Sequence, residues 1–256
     1  MTLRYIKADP TGNITALVES PIAENRRSEA AAAIFAGDSS IEQLGFLSET
    51  PAGDIRLDMA GGEFCGNACL CAAAYHLRRC GGERGRVLVS ISGADAPVPV
   101  EMQRLSENEY SGSVEMPLPL SIDTEGANPV VNFPGISHVI IPYGTPASIA
   151  EALIRPMCAG LGADALGLML FDEAASHLRP LVYVPGADTL CWERSCASGS
   201  CAVSAYLAHR EAKDVSRSLS LPGGSLFAAA EYSEGKITGL RLGGKVRLGQ
   251  AKDMEI

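Results

Sequence analysis

Short alternating or continuous apolar runs predict strands over residues 4–8, 14–19, 54–59, 87–91, 137–141, 181–184, 226–232 and 237–242. Helices are expected over 29–35, 41–47, 65–78, 148–158 and 196–208. Ser233-Glu234-Gly235-Lys236 reads as a hairpin turn. The segments 65–78 and 196–208 stand apart, because Ala, Gly, Ser and Cys surround them and leave no polar face. A helix of that kind is buried on all sides and must be enclosed by sheet. Cys69, Cys71 and Cys201 then read as small core residues.

These two helices also repeat one another. Cys65-Gly66-Asn67-Ala68-Cys69 through Tyr75 aligns with Cys196-Ala197-Ser198-Gly199-Ser200 through Tyr206: the leading Cys, an Ala nine residues on and the Tyr coincide. An acid stands just upstream in each, Glu63 and Glu193, and an Arg-containing polar stretch and a strand-like stretch follow each. The repeat predicts an α/β fold of two pseudo-symmetric domains, residues 1–120 and 121–256, each a β-sheet wrapped around a central helix. The Pro- and turn-rich segment MPLPLSIDTEGANP marks the join, near 115–130.

Composition narrows the class. Of 256 residues, 46% are hydrophobic, enough for a core, and 30 acidic against 21 basic residues leave a formal charge of −9. That balance argues against non-specific nucleic-acid binding and against docking on anionic lipid. No uncharged run approaches a membrane span, and the N-terminus has no apolar signal region, so a cytoplasmic protein is expected. Eight cysteines are too dilute for a disulfide scaffold of this length and are expected as thiols.

Two of those cysteines carry candidate chemistry. Cys65 and Cys196 each stand where a loop gives way to a helix, whose first N–H groups lack intrahelical partners. Such a site is expected to lower a thiol pKa from about 8.5 toward the physiological range. The same N–H groups can hold a carboxylate or a developing oxyanion. A pair of such sites suggests a shared cleft with one sulfur on each side of a carbon, which suits inversion: one group removes a proton and the other delivers one to the opposite face. Other readings are a metal cluster at Cys65, Cys69 and Cys71, and a hydrolase with Cys196 as nucleophile and a His as base. Cys71 points nearly opposite Cys69 on a helix, which counts against the first. The second leaves Cys65 without a role.

At these residues the sequence resembles the diaminopimelate epimerase-like family of cofactor-independent amino-acid racemases and epimerases. Glu63-Phe64-Cys65-Gly66-Asn67-Ala68 is similar to its first motif, Trp192-Glu193-Arg194-Ser195-Cys196-Ala197-Ser198-Gly199 to its second, and Thr11-Gly12-Asn13 to its early Gly-Asn. The resemblance implies that Cys65 and Cys196 are the two bases. Gly66, Asn67, Ala197 and Ser198 would offer N–H groups to the substrate α-carboxylate. Glu193 and Arg194 would lie near its amino group or distal end, with Asn13 and Asp58 completing the pocket. On their own residues, Glu193–Arg194 could instead be a local ion pair, Asn13 a turn residue and Asp58 a surface strand residue.

The single residue between Glu193-Arg194 and Cys196 is closer to proline racemases than to diaminopimelate epimerases. Where the family has Gly-Asn-Pro-His, this chain has Gly135-Ile136-Ser137-His138. Ile136 cannot make the hydrogen bond that the Asn makes to the distal end of diaminopimelate. The expected substrate is therefore another amino acid, such as histidine. True diaminopimelate epimerase is the alternative, and a non-catalytic amino-acid-binding paralogue is the alternative of another class. No pyridoxal phosphate lysine signal, dinucleotide fingerprint or metal site is expected, so no cofactor is. The expected partner is a small-molecule amino acid, with no nucleic acid and no membrane; a homodimer is left open.

Overall fold

The computed structural model describes residues 2–255. In chain order the first elements are β1 (Thr2–Asp9), β2 (Thr15–Val18), α1 (Arg27–Gly37), β3 (Gln43–Ser48), β4 (Ile55–Met59), α2 (Gly66–Arg79), β5 (Arg84–Ile91), β6 (Val98–Arg104) and β7 (Glu109–Glu115). Then come β8 (Ser121–Asp123), β9 (Val130–Phe133), β10 (Ile136–Pro142), α3 (Ala147–Leu161), β11 (Leu166–Asp172), β12 (His177–Val184), β13 (Thr189–Trp192), α4 (Ala197–Glu211), β14 (Val215–Leu221), β15 (Gly224–Ser233) and β16 (Lys236–Glu255). The result is a mixed α/β fold with a β-barrel core.

The chain divides into two compact units. One holds the described residues up to Glu115 together with those from Gly243 onward, and the other is Met116–Leu242. The sequence division at 120 and 121 therefore lies five residues beyond the observed change, and it assigns the last part of β16 to the other half. The polar alternation of that part does not reveal its partner, which is β1 at the opposite end of the sequence.

In the first unit the strands run in order from β1 to β7, and β16 hydrogen-bonds to both β7 and β1, closing the ring. Two pairings are parallel, β2 with β3 and β4 with β5. Each needs a crossover, and α1 and α2 supply them. Helix α1 packs outside, where Ala30, Ala31 and Ile34 meet Leu3, Tyr5, Ala16, Val18, Leu44 and Phe46. Helix α2 runs inside and touches β2 through β7. With helices on both faces, all four residues of β2 are buried.

The second unit repeats this order of elements with two added strands, β8 and β13. Strands β10 and β11 pair in parallel across α3, and β12 and β14 across α4. Helix α3 packs Ala150, Ile154 and Cys158 on Val139, Ile141, Leu166, Leu168 and Leu170. Helix α4 touches β9, β10, β11, β14 and β15. As the small-residue pattern requires, Gly66 through Tyr75 of α2 are all buried, as are Gly199 through Ala205 of α4. The hairpin turn between β15 and β16 falls at Glu234 and Gly235, with φ of 50° and 84°. Two successive positive φ values suit the right-handed twist of the flanking strands.

One expected helix is a strand. Residues 41–47 place Ile41, Leu44 and Leu47 at near-helical spacing, yet β3 begins at Gln43. Its Leu44 and Phe46 face α1. Gly45 turns to the other face, where a Cβ would stand 2.5 Å from Leu57 and 3.3 Å from Met59. Packing on both faces decides the conformation over local spacing. Among the described residues, no helix is long and apolar enough to cross a membrane.

Candidate active site

Cys65 is the N-cap of α2 and Cys196 the N-cap of α4. Their backbones match closely, with φ/ψ of −137°/112° and −132°/111°. An extended residue at this position aims its side chain back over the first helical turn. The two thiols are 8% and 6% exposed.

Their surroundings differ. The Cys65 sulfur accepts the Ala68 N–H at 3.4 Å and lies 2.9 Å from Gln43 Oε1. Gln43 is on β3, with its side chain on the same face as Gly45 and so toward α2. Thr15 is its register partner on β2, and Asn13 stands two residues before Thr15. Sequence reading missed Gln43, because it lies 22 residues from Cys65 and strand pairing alone brings it there.

At Cys196 the Ser198 hydroxyl oxygen stands 3.7 Å from the sulfur, and the Glu193 carboxylate is also a neighbour. Burial pushes this thiol well above its ordinary range, and the neighbouring Glu193 carboxylate pushes it further. The Gly199 N–H and Ser198 hydroxyl act in the opposite sense without reversing the shift. The expected lowering by a helix N-terminus is thus outweighed at Cys196, where desolvation of the thiolate exceeds what a few N–H groups return. Cys69 and Cys71 are fully buried and their thiols are also raised, first by burial and then by the Cys65 charge. Cys201 is raised by burial as well. Among the described residues no three metal-binding side chains gather.

The remaining expected site residues fall into two groups. Gly66, Asn67, Ala197 and Ser198 all lie in the first turns of α2 and α4, where N–H groups are free of intrahelical partners. Asn67 Oδ1 is buried without a hydrogen-bond partner in the protein, and so is Asn13 Oδ1. Asn13 itself is fixed by its Nδ2, which donates to Glu42 at 3.2 Å. Glu193 is half-buried at the end of β13, and Arg194 is exposed, with its carbonyl accepting the Gly223 N–H.

Asp58 does not join them. Its register partner is Phe46, so it faces α1. There its carboxylate pairs with Arg27 at 3.1 Å and Arg56 at 2.6 Å. The alternation of β4 sends Leu57 and Met59 inward and Asp58 outward, away from the face that carries Gln43.

Behind Cys196 lies a notch. A Cβ on Gly199 would stand 3.2 Å from the Cys196 sulfur and would overlap the Met169 sulfur. Met169, on β11, is fully buried. Two residues earlier, Gly167 makes room for the ring of His138, its register partner on β10. His138 is fully buried, neither ring nitrogen has a partner in the protein, and burial holds it neutral with its pKa lowered to about 3.

Comparison with known proteins adds to this geometry. Residues 2–251 match the family described as histidine racemase CntK N-terminal domain. A histidine racemase of Staphylococcus aureus is 27% identical over 248 residues, covering 90% of this chain and 89% of its own. In fold, the chain is similar to a PhzF-family phenazine biosynthesis protein of Bacillus anthracis, with TM-score 0.72, 14% identity and 100% of both chains covered. It is also similar to a hydroxyproline epimerase of Agrobacterium vitis with bound trans-4-hydroxy-L-proline, with TM-score 0.69 and 10% identity, covering 99% of this chain and 92% of the other. An enzyme rather than a non-catalytic paralogue follows, and the chain belongs to the histidine racemase CntK family of isomerases.

Proposed function

We propose that the chain is a cofactor-independent amino-acid racemase with histidine as substrate, and that Cys65 and Cys196 exchange the α-proton on opposite faces of one carbon. The observation that carries the reading is the matched N-cap placement of the two thiols on two buried helices. In each turnover one sulfur, as thiolate, takes the α-proton. The C–H electron pair spreads into the substrate carboxylate, and the other sulfur, as thiol, delivers its proton to the opposite face. The thiols end with their protonation exchanged, ready for the reverse direction.

The α-carbon is a very weak acid, so the spreading charge must be held. The free N–H groups at Gly66, Asn67, Ala197 and Ser198 suit a carboxylate, and a dry site strengthens them. The unpartnered Asn13 and Asn67 carbonyl oxygens suit the substrate ammonium, as does Glu193. Arg194, at the solvent side, meets the distal end. The name of the curated relative supports histidine over diaminopimelate, and Ile136 is consistent with that choice.

The test is incubation of L-histidine with the protein in D2O without added cofactor, followed by NMR of the α-proton and chiral chromatography. Loss of the α-proton signal with formation of D-histidine is expected, and Cys65→Ser and Cys196→Ser should each abolish racemisation. Turnover of diaminopimelate or proline but not histidine would overturn the substrate. Racemisation by either single variant would overturn the two-thiol mechanism.

A further inference from the structure

Cys65 is delivered by the loop 60–64, which leaves β4 and turns at Gly62 (φ 76°), where the Gly62 N–H donates to the Met59 carbonyl. A single hydroxyl ties both ends of that loop. Ser92 Oγ accepts the Met59 N–H at 2.9 Å and donates to the Glu63 carbonyl at 3.2 Å. Ser92 is itself fixed, because its N–H donates to the Leu57 carbonyl.

The next residue adds a backbone contact. Gly93 has φ of 74°, and a Cβ there would stand 2.8 Å from the Glu63 carbonyl carbon and would overlap the Phe64 nitrogen. The peptide that leads into Cys65 therefore rests directly on the Gly93 backbone, an approach only glycine permits. Ser92 thus holds Met59 and Glu63, and Gly93 rests against Glu63 and Phe64, the two residues before Cys65.

We infer that Ser92, with Gly93 beneath it, is a positioning residue that fixes the Cys65 sulfur for proton transfer. The inference rests on the two-thiol reading above. Proton transfer depends steeply on sub-ångström placement, and a displacement of about 1 Å can cost on the order of a hundredfold. A loop freed at both ends moves Cys65 while leaving the N–H groups of α2, anchored in a buried helix, in place. The expected signature is a fall in kcat with little change in KM.

The experiment compares Ser92→Ala, Ser92→Thr and Ser92→Val in the full-length enzyme. Thr and Val have the same shape and differ in the hydroxyl alone, so they decide the matter even where Ala fails to fold. Ala and Val should lower kcat about tenfold or more with KM within about twofold, and Thr should restore it. Iodoacetamide labelling followed by peptide mass spectrometry should change at Cys65 and stay unchanged at Cys196. Wild-type kcat in Val, equal loss in Thr and Val, or equal shifts at both thiols would overturn the inference. Cys65→Ser separates the two levels: if that variant is inactive while Ser92→Val is fully active, positioning fails alone, and if Cys65→Ser is active the two-thiol reading fails.

Discussion

Gln43 Oε1 lies 2.9 Å from the Cys65 sulfur, and the amide can serve that sulfur in either protonation state. Its oxygen accepts from the thiol. Turned about its last bond, its Nε2 donates to the thiolate. Under the proposed two-thiol mechanism Cys65 would act as acid in one direction and base in the other, a duty well matched by an amide, whereas a carboxylate could only accept. Gln43→Glu is therefore expected to slow both directions of racemisation by roughly tenfold or more, the size of losing a hydrogen bond to a charged group. Cys65 alkylation at neutral pH should slow with it. Unchanged alkylation and unchanged rates in both directions would remove Gln43 from the mechanism.

Glu193 sets the second thiol apart. Burial is the first cause of the raised Cys196 value and Glu193 the next. A substrate ammonium beside Glu193 would offset that carboxylate, so the thiolate is favoured with substrate in place. Glu193→Gln removes the negative charge from the free enzyme, which lowers the thiol toward its ordinary range while burial keeps it raised. Alkylation of Cys196 at pH 7–8 should become a few-fold faster, and substrate should bind more weakly through the lost ammonium contact. A slower Cys196 reaction in this variant would contradict the sign.

The Gly199 notch is occupied by Met169, so a methyl group there must displace either Met169 or the Cys196 sulfur. Gly199→Ala is expected to destabilise by about 1–3 kcal/mol, as overpacking of a tight core does, despite the better helix propensity of alanine. Met169→Ala alone leaves a cavity. Combined, the two changes relieve one another, so a double-mutant cycle in urea should show the double variant destabilised by roughly 0.5–3 kcal/mol less than the sum of the single losses. Additive losses would mean that the two side chains do not share the space.

The parts of this fold that the sequence made legible are those governed by local chemistry. The mostly small residues from Gly66 to Ala74, which offer no charged face, point to a buried helix, and the Cys that precedes each small-residue run marks its N-cap. What stayed hidden depends on distant partners. The apolar spacing of Ile41, Leu44 and Leu47 mimics a helix, and packing against α1 and Leu57 makes it β3. Gln43 and Ser92 carry no motif, since each reaches the Cys65 region by strand pairing. Asp58 stands near the first motif in sequence, but the two-residue period of β4 turns it to Arg27 and Arg56. The raised state of Cys196 was likewise illegible, because a helix start is visible in sequence and the depth of burial is not.

His138 gives stability a pH dependence whose sign follows from its burial. Its pKa is lowered to about 3 in the folded protein, with desolvation as the cause, against about 6.5 in an unfolded chain. Between those values the unfolded state binds a proton that the folded state does not, so stability rises with pH across the window and is complete above about 6.5. On acidification the contribution is lost at up to about 1.4 kcal/mol per pH unit. His138→Leu, which fits the space over Gly167 and removes two buried nitrogens without protein partners, abolishes this term. Urea unfolding of both proteins from pH 7.5 to pH 4.5 should show similar stabilities at the upper end and a steeper decline for the wild type below about pH 6.5. Carboxylates titrate in both proteins and cancel in the difference. Parallel curves would mean that the imidazole is protonated in the folded state and has a partner there, contrary to its position against Gly167 and Phe133.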